Sequence, residues 1–212
     1  HTGSGHKTRQ RPHLPHLLDV PGHAQVPTDK VGRVFLAGYY VASKATVQAI
    51  KADGALMEEP VLSVPTAEKA HSIVLDPANR FAFVAHTGPN TIFQFRFDST
   101  TGKLSPGKPP RLATPANTGP RHMVFHPRLD IAYVDNEQGS SVTAYQFDKS
   151  AGTLTALQTA STLPAGFREN NACAELKSHT SGNFLFVPHR GPGPLAPFRA
   201  RAVTRGRAPP GS

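Results

Sequence analysis

Arg80-Phe-Ala-Phe-Val-Ala-His-Thr87 is a short run of aromatic and aliphatic residues closed by two polar ones, and the chain contains four versions of it. The others are Arg33-Val-Phe-Leu-Ala-Gly-Tyr-Tyr40, Asp130-Ile-Ala-Tyr-Val-Asp-Asn-Glu137 and Asn183-Phe-Leu-Phe-Val-Pro-His-Arg190, with successive offsets of 47, 50 and 53 residues. Each is rich in the β-branched and aromatic residues that suit a pleated strand.

The flanks repeat as well. Upstream of three copies lies a second apolar run ending in a polar turn: His71-Ser-Ile-Val-Leu-Asp-Pro77, His122-Met-Val-Phe-His-Pro127 and Glu175-Leu-Lys-Ser-His179. Downstream lie Thr91-Ile-Phe-Gln-Phe-Arg-Phe97 and Ser141-Val-Thr-Ala-Tyr-Gln-Phe147, each followed by an Asp-containing turn with Gly102 or Gly152. Four short antiparallel strands recurring every ~40–50 residues is the pattern of a β-propeller blade. A β-sandwich also has many short strands, but it does not need them to repeat in sequence. The sequence therefore predicts an all-β chain, a partial β-propeller with blades at about 23–66, 71–116, 122–170 and 174–190. It also predicts sheets at 31–57, 71–116, 122–162 and 174–190. The last blade is expected to stop after two strands, and a propeller of fewer blades than a closed ring needs would oligomerise or aggregate through open edges.

In a blade the first strand lines the channel and the second runs antiparallel to it. First-strand starts and second-strand ends therefore share one face. First strands begin at His71, at Arg121 with His122, and at Glu175; second strands end at Tyr40, Thr87, Glu137 and Arg190. The blade register aligns His71 with Arg121, and Glu137 with Arg190. An imidazole, two guanidinium groups and a carboxylate around one mouth suit an anionic or oxygen-rich ligand. Such a set can supply a base to activate water and positive charge for an oxyanion. The bland alternative is that charges at strand ends are surface ion pairs worth little.

The net charge is +9, but much of it lies at the two ends, with Lys7, Arg9 and Arg11 near one and Arg199, Arg201, Arg205 and Arg207 near the other. Residues 1–20 and 192–212 are rich in Pro and Gly and are expected to be irregular basic tails, with no nucleic-acid partner. No apolar run approaches the ~20 residues of a membrane helix, and no membrane partner is expected. Cys173 stands alone, so no internal disulfide can form. The eleven histidines show no zinc spacing, and neither metal nor cofactor is expected.

Gly119-Pro-Arg-His-Met-Val-Phe-His-Pro127, then Asn136-Glu137 and Ser140-Ser-Val142, resembles the lactonase propeller family, which includes 6-phosphogluconolactonases and carboxymuconate cyclases. His71-Ser-Ile-Val-Leu-Asp-Pro77, Leu157-Gln-Thr-Ala-Ser-Thr-Leu-Pro164 and Gly182-Asn-Phe-Leu-Phe-Val-Pro-His-Arg-Gly191 extend the resemblance over about residues 21–191. The resemblance implies a seven-bladed ring, of which this chain would hold about three and a half blades as a truncated form. It implies a cytoplasmic, metal-free hydrolase acting on a small anionic lactone of the pentose phosphate route. His71, Arg121, Glu137 and Arg190 are then the catalytic positions, and His122 and Asn136 are substrate-binding. A muconate lactonising enzyme would share the same site. A non-catalytic propeller fragment or binding module is the reading from a different class.

Overall fold

The computed structural model describes residues 27–167, 169–191 and 196–199. The described residues form four antiparallel sheets and no helix. The first sheet holds β1 (Val34–Tyr39), β2 (Lys44–Ala49) and β3 (Leu62–Pro65) in that order. Thr28 bridges Phe35 on the open side of β1, and Leu36 N–H donates to Pro27 O at 3.0 Å, so residues 27–28 lie where the next two blades have their innermost strand. The second sheet is β4 (Ala70–Leu75), β5 (Phe81–His86), β6 (Thr91–Asp98) and β7 (Lys103–Ala113). The third repeats it with β8 (Pro120–Phe125), β9 (Ile131–Asn136), β10 (Ser141–Asp148) and β11 (Thr153–Ser161). The fourth runs β12 (Lys177–Ser178), β13 (Phe184–Val187) and β14 (Ala196–Arg199).

Two expectations are corrected. The first sheet does not fill 31–57. Lys51 to Gly54 make a tight turn in which Asp53 Oδ1 takes the Ala55 N–H at 3.0 Å, and the third strand forms only after Pro60, at Leu62–Pro65. The fourth sheet does not stop at two strands either. Ala196–Arg199 pairs with Phe184–Val187 inside a stretch expected to be irregular, because β13 offers a row of backbone groups that a third strand can satisfy. Among the described residues β14 is the outermost strand of its sheet, a place where a proline such as Pro197 is tolerated. The stretch 1–20, and the rest of 192–212, fall outside the described residues.

The core lies between blades. On β5, Phe81 and Phe83 pack toward the third blade against Met123, Val134 and Phe147, while Ala82 and Val84 pack toward the first against Leu36 and Val47. β9 divides in the same way, with Ala132 and Val134 facing the second blade and Ile131 and Tyr133 facing Leu176 and Val187 of the fourth. This explains why the second strands read as continuous apolar runs: both of their faces are covered.

The polar residue that closes each innermost run fastens the turn after it. Asp76 Oδ1 takes the N–H groups of Arg80 and Phe81 at 2.6 and 2.7 Å, and His126 Nδ1 takes those of Arg128 and Leu129 at 3.0 and 2.9 Å. Asp29 Oδ1 does the same for Arg33 and Val34. Arginines then clamp blade to blade on this side, Arg33 to Ser99 O, Arg80 to Lys149 O and Arg128 to Ser181 O.

The two glycine turns differ in how closely they meet the preceding blade. A Cβ on Gly152 (φ 73°) would lie 2.1 Å from the Phe81 ring, whereas one on Gly102 (φ 72°) would find its nearest neighbour, a Val47 methyl, at 3.4 Å. Gly102→Ala should cost about 1 kcal/mol from backbone strain alone. Gly152→Ala should cost at least ~2 kcal/mol more, because the Phe81 ring is locked in the core. Urea unfolding of the two variants side by side checks the difference, and equal losses would contradict this packing.

Candidate functional site

Each innermost strand carries a register shift near its start. Pairing runs Ala70↔His86 and then Ser72↔Ala85, which leaves His71 as the extra residue. In the next blade it runs Pro120↔Asn136 and then Met123↔Val134, with Arg121 and His122 in the irregular step. The fourth blade shows the same shift between the Cys173↔His189 bridge and the Lys177↔Phe186 pair. Bulges re-aim side chains and interrupt the ladder. Here they turn His71, Arg121 and His122 onto the face where the second strands end.

On that face Glu137, just past β9, is held at both oxygens. Arg121 Nε lies 2.9 Å from Oε2, and Arg190 Nη1, from the neighbouring blade, lies 3.3 Å from Oε1. The Glu137 backbone is fixed too, with its N–H donating to Gly119 O at 2.8 Å and its carbonyl accepting Cys173 N–H at 3.3 Å. Arg121 also donates through Nη1 to Ala174 O and to His122 Nδ1, the latter at 2.9 Å. Guanidinium has no acceptor, so this bond uses the His122 tautomer with its proton on Nε2. The His122 ring meets His71 edge-on at 4.9 Å, and His71 in turn meets Tyr40 at 5.9 Å.

The structure thus brings His71, Arg121, His122, Glu137 and Arg190 to one mouth, from three successive blades. Asn136 is adjacent but turned inward. Its amide nitrogen donates to Ser141 Oγ and Thr143 Oγ1, both at 2.9 Å, so it ties β9 to β10 and leaves only Oδ1 without a partner. Two more carboxylates flank the His122 ring, Asp135 Oδ2 and Glu175 Oε1, each 3.6 Å from Nδ1. Glu175 was a first-strand position in the repeat. Asp135 was missed, although one signal was available: it stands where the other three copies have Gly38, Ala85 and Pro188.

Exposure sorts the charges. The Arg121 side chain is 8% exposed, Glu137 22% and Arg190 50%, so Arg190 is the guanidinium most open to a ligand. Burial, then the positive field of Arg190, pulls the Arg121 guanidinium below its ordinary value, while Asp135 and Glu137 oppose that shift. Burial, then the charges of Arg121 and Arg190, push the His71 imidazole down to about 3. His71 is therefore neutral near pH 7, with a buried Nδ1 that has no hydrogen-bond partner among the described residues. Burial likewise lowers His86 to about 4, against opposing hydrogen bonds from the Glu68 and Ala67 backbone.

The family model "Lactonase, 7-bladed beta-propeller" matches residues 6–206. The chain belongs to this family. The match is wider than residues 21–191 and reaches into both stretches that composition marked as tails. A 6-phosphogluconolactonase of Pectobacterium carotovorum is 34% identical over 175 residues, which is 82% of this chain and 52% of that protein. One from Cronobacter sakazakii is 32% identical over 172 residues, 81% of this chain and 51% of that protein. Among solved structures, a Lactobacillus plantarum protein superposes with a TM-score of 0.77 at 29% identity, covering 84% of this chain and 53% of its own. A periplasmic gluconolactonase of Pseudomonas aeruginosa gives 0.71 at 25%, covering 79% and 50%. The chain spans about half the length of the curated relatives it matches.

The two depressed histidines set a pH dependence. Below about 6.5, the ordinary value, the unfolded chain takes up protons that folded His71 and His86 refuse until about 3 and 4. The unfolded state then binds more protons, so stability falls as pH drops from 6.5 toward 4. His71→Gln should flatten that slope. Urea unfolding at several pH values in this window measures it, and an unchanged slope would show that His71 is not held neutral.

Proposed function

We propose that this mouth binds and hydrolyses an anionic sugar lactone, with 6-phosphogluconolactone as the substrate. The observation that carries the reading is the Glu137 carboxylate held between a buried and a half-exposed arginine, beside a neutral histidine. Relatives named 6-phosphogluconolactonase support the choice of lactone.

In this mechanism Arg190 meets the anionic lactone and leaves Glu137 Oε1 free. Glu137 takes a proton from water, and the hydroxyl oxygen bonds to the lactone carbonyl carbon. The carbonyl electrons move to oxygen, and Arg190 stabilises the oxyanion. Collapse breaks the ring C–O bond, and the proton passes from Glu137 to the departing ring oxygen. The product is an open hydroxy acid. Neutral His71 lines the mouth beside the water without competing for its proton. Arg121 holds Glu137 in place.

The test is turnover of 6-phosphogluconolactone and of unphosphorylated gluconolactone by the full chain. Glu137→Gln should lower kcat by ~10²–10³. Arg190→Ala should raise KM for the phosphorylated lactone by about 10–100-fold, the loss of one charge-assisted contact, and should also lower kcat, because the same group stabilises the oxyanion. A correctly folded chain that turns over neither lactone would refute the reading and leave a non-catalytic propeller segment.

A further inference from the structure

The mouth holds a carboxylate that the reaction above does not use. Asp135 is completely buried near the end of β9. Its Oδ1 accepts the backbone N–H of His122 at 2.5 Å. That N–H belongs to the irregular step of β8, where the pairing with β9 skips from Pro120 to Met123. Its other oxygen has no hydrogen-bond partner and lies 3.6 Å from His122 Nδ1. His122 Nδ1 accepts from Arg121, Arg121 pairs with Glu137, and Glu137 pairs with Arg190. From the buried Asp135 the His122 N–H anchors the bulge that carries Arg121, and ion pairs continue through Glu137 to the half-exposed Arg190.

The second blade shows what the bulge looks like without this residue. There Ala85 occupies the place of Asp135, and the bulge presents only His71, which is uncharged near neutral pH. Only the third blade turns a buried guanidinium onto the mouth, and its second strand places a carboxylate directly beneath the bulge. A carboxylate is not buried without compensation, and here the bulge N–H and the field of Arg121 provide it.

We propose that Asp135 is a positioning residue: it fastens the β8 bulge and holds the Arg121 guanidinium against Glu137, leaving Arg190 to meet the anionic ligand. The inference takes the anionic-lactone reading as its setting. With Asp135 present, Arg121 is an orienting group whose charge is answered from within the blade. Without that carboxylate, Arg121 becomes a second anion-binding guanidinium. Removing the charge therefore moves anion binding and turnover in opposite directions.

The variant is Asp135→Asn, which keeps an oxygen to accept the His122 N–H and removes the charge. Calorimetry with 6-phosphogluconate should show binding tighter by ~3-fold or more, as expected for one uncancelled charge in a partly buried site. Turnover of the lactone should fall by ~10–100-fold, the usual effect of losing a group that orients a reacting one. A merely structural role would weaken both, and that outcome overturns the proposal, as does no change in either. A second readout needs no turnover. Phenylglyoxal labelling of Arg121, followed by peptide mass spectrometry, should rise in Asp135→Asn while Arg33 and Arg80 stay constant. Unchanged Arg121 labelling overturns the proposal. A wild-type chain that hydrolyses no lactone but shows the labelling change refutes the lactone reading and leaves Asp135 as the anchor of Arg121.

Discussion

Among the described residues a blade has two apolar faces and no helix covers either. Everything else in the structure depends on that constraint. The second and third blades can bury Phe81, Phe83, Ile131 and Tyr133 only against neighbouring blades, so the hydrophobic effect acts between sheets rather than within them. The arginine clamps of Arg33, Arg80 and Arg128 bridge the same joints on the side away from the site. Blade-to-blade geometry is thereby fixed by packing and by charge-assisted bonds to backbone carbonyls. Glu137 and Arg190 stand in different blades, so the 3.3 Å between them is a direct consequence of that fixed angle.

The electrostatics of the mouth follow from how much water each group keeps. A buried ion pair is costly unless its remaining donors and acceptors are satisfied. Arg121 meets that condition in part: Glu137 pairs with it and Nη1 donates to His122 and Ala174 O, while Nε makes no hydrogen bond among the described residues. Arg190 keeps half of its surface and is not so committed. Burial, then the charges of Arg121 and Arg190, keep His71 neutral.

The strands were legible because their period and their two covered faces leave a direct trace in composition. The charged positions were legible because antiparallel pairing converts sequence register into a common face, and Arg121, Glu137 and Arg190 meet there. The bulges were not legible. Ala70-His-Ser and Pro120-Arg-His read as ordinary strand starts, since a register shift changes hydrogen bonding without changing residue type. The fate of Asn136 was hidden for a related reason: whether an amide faces the mouth or the next strand depends on partners such as Ser141 and Thr143, which alternation alone does not reveal. β14 was hidden by composition, because prolines and arginines around Ala196–Arg199 masked a strand that pairing with β13 stabilises.

Comparing equivalent positions shows how a repeat becomes a site. At the end of the second strand the copies read Val84, Val134 and Val187 in the core, and then Thr87, Glu137 and Arg190 three residues later at the mouth. The core position cannot vary far, because each valine is wedged between two blades. The later position differs in every blade: a buried threonine, a partly exposed glutamate and a half-exposed arginine. Successive blades thus present different groups at one geometric position, with spacing set by the blades themselves. Chemistry that needs a carboxylate between two cations is met by placing Glu137 and Arg190 at equivalent positions of adjacent blades. Arg121 then comes from the bulge of Glu137's own blade, so two arginines of different exposure reach one carboxylate without any insertion into the fold.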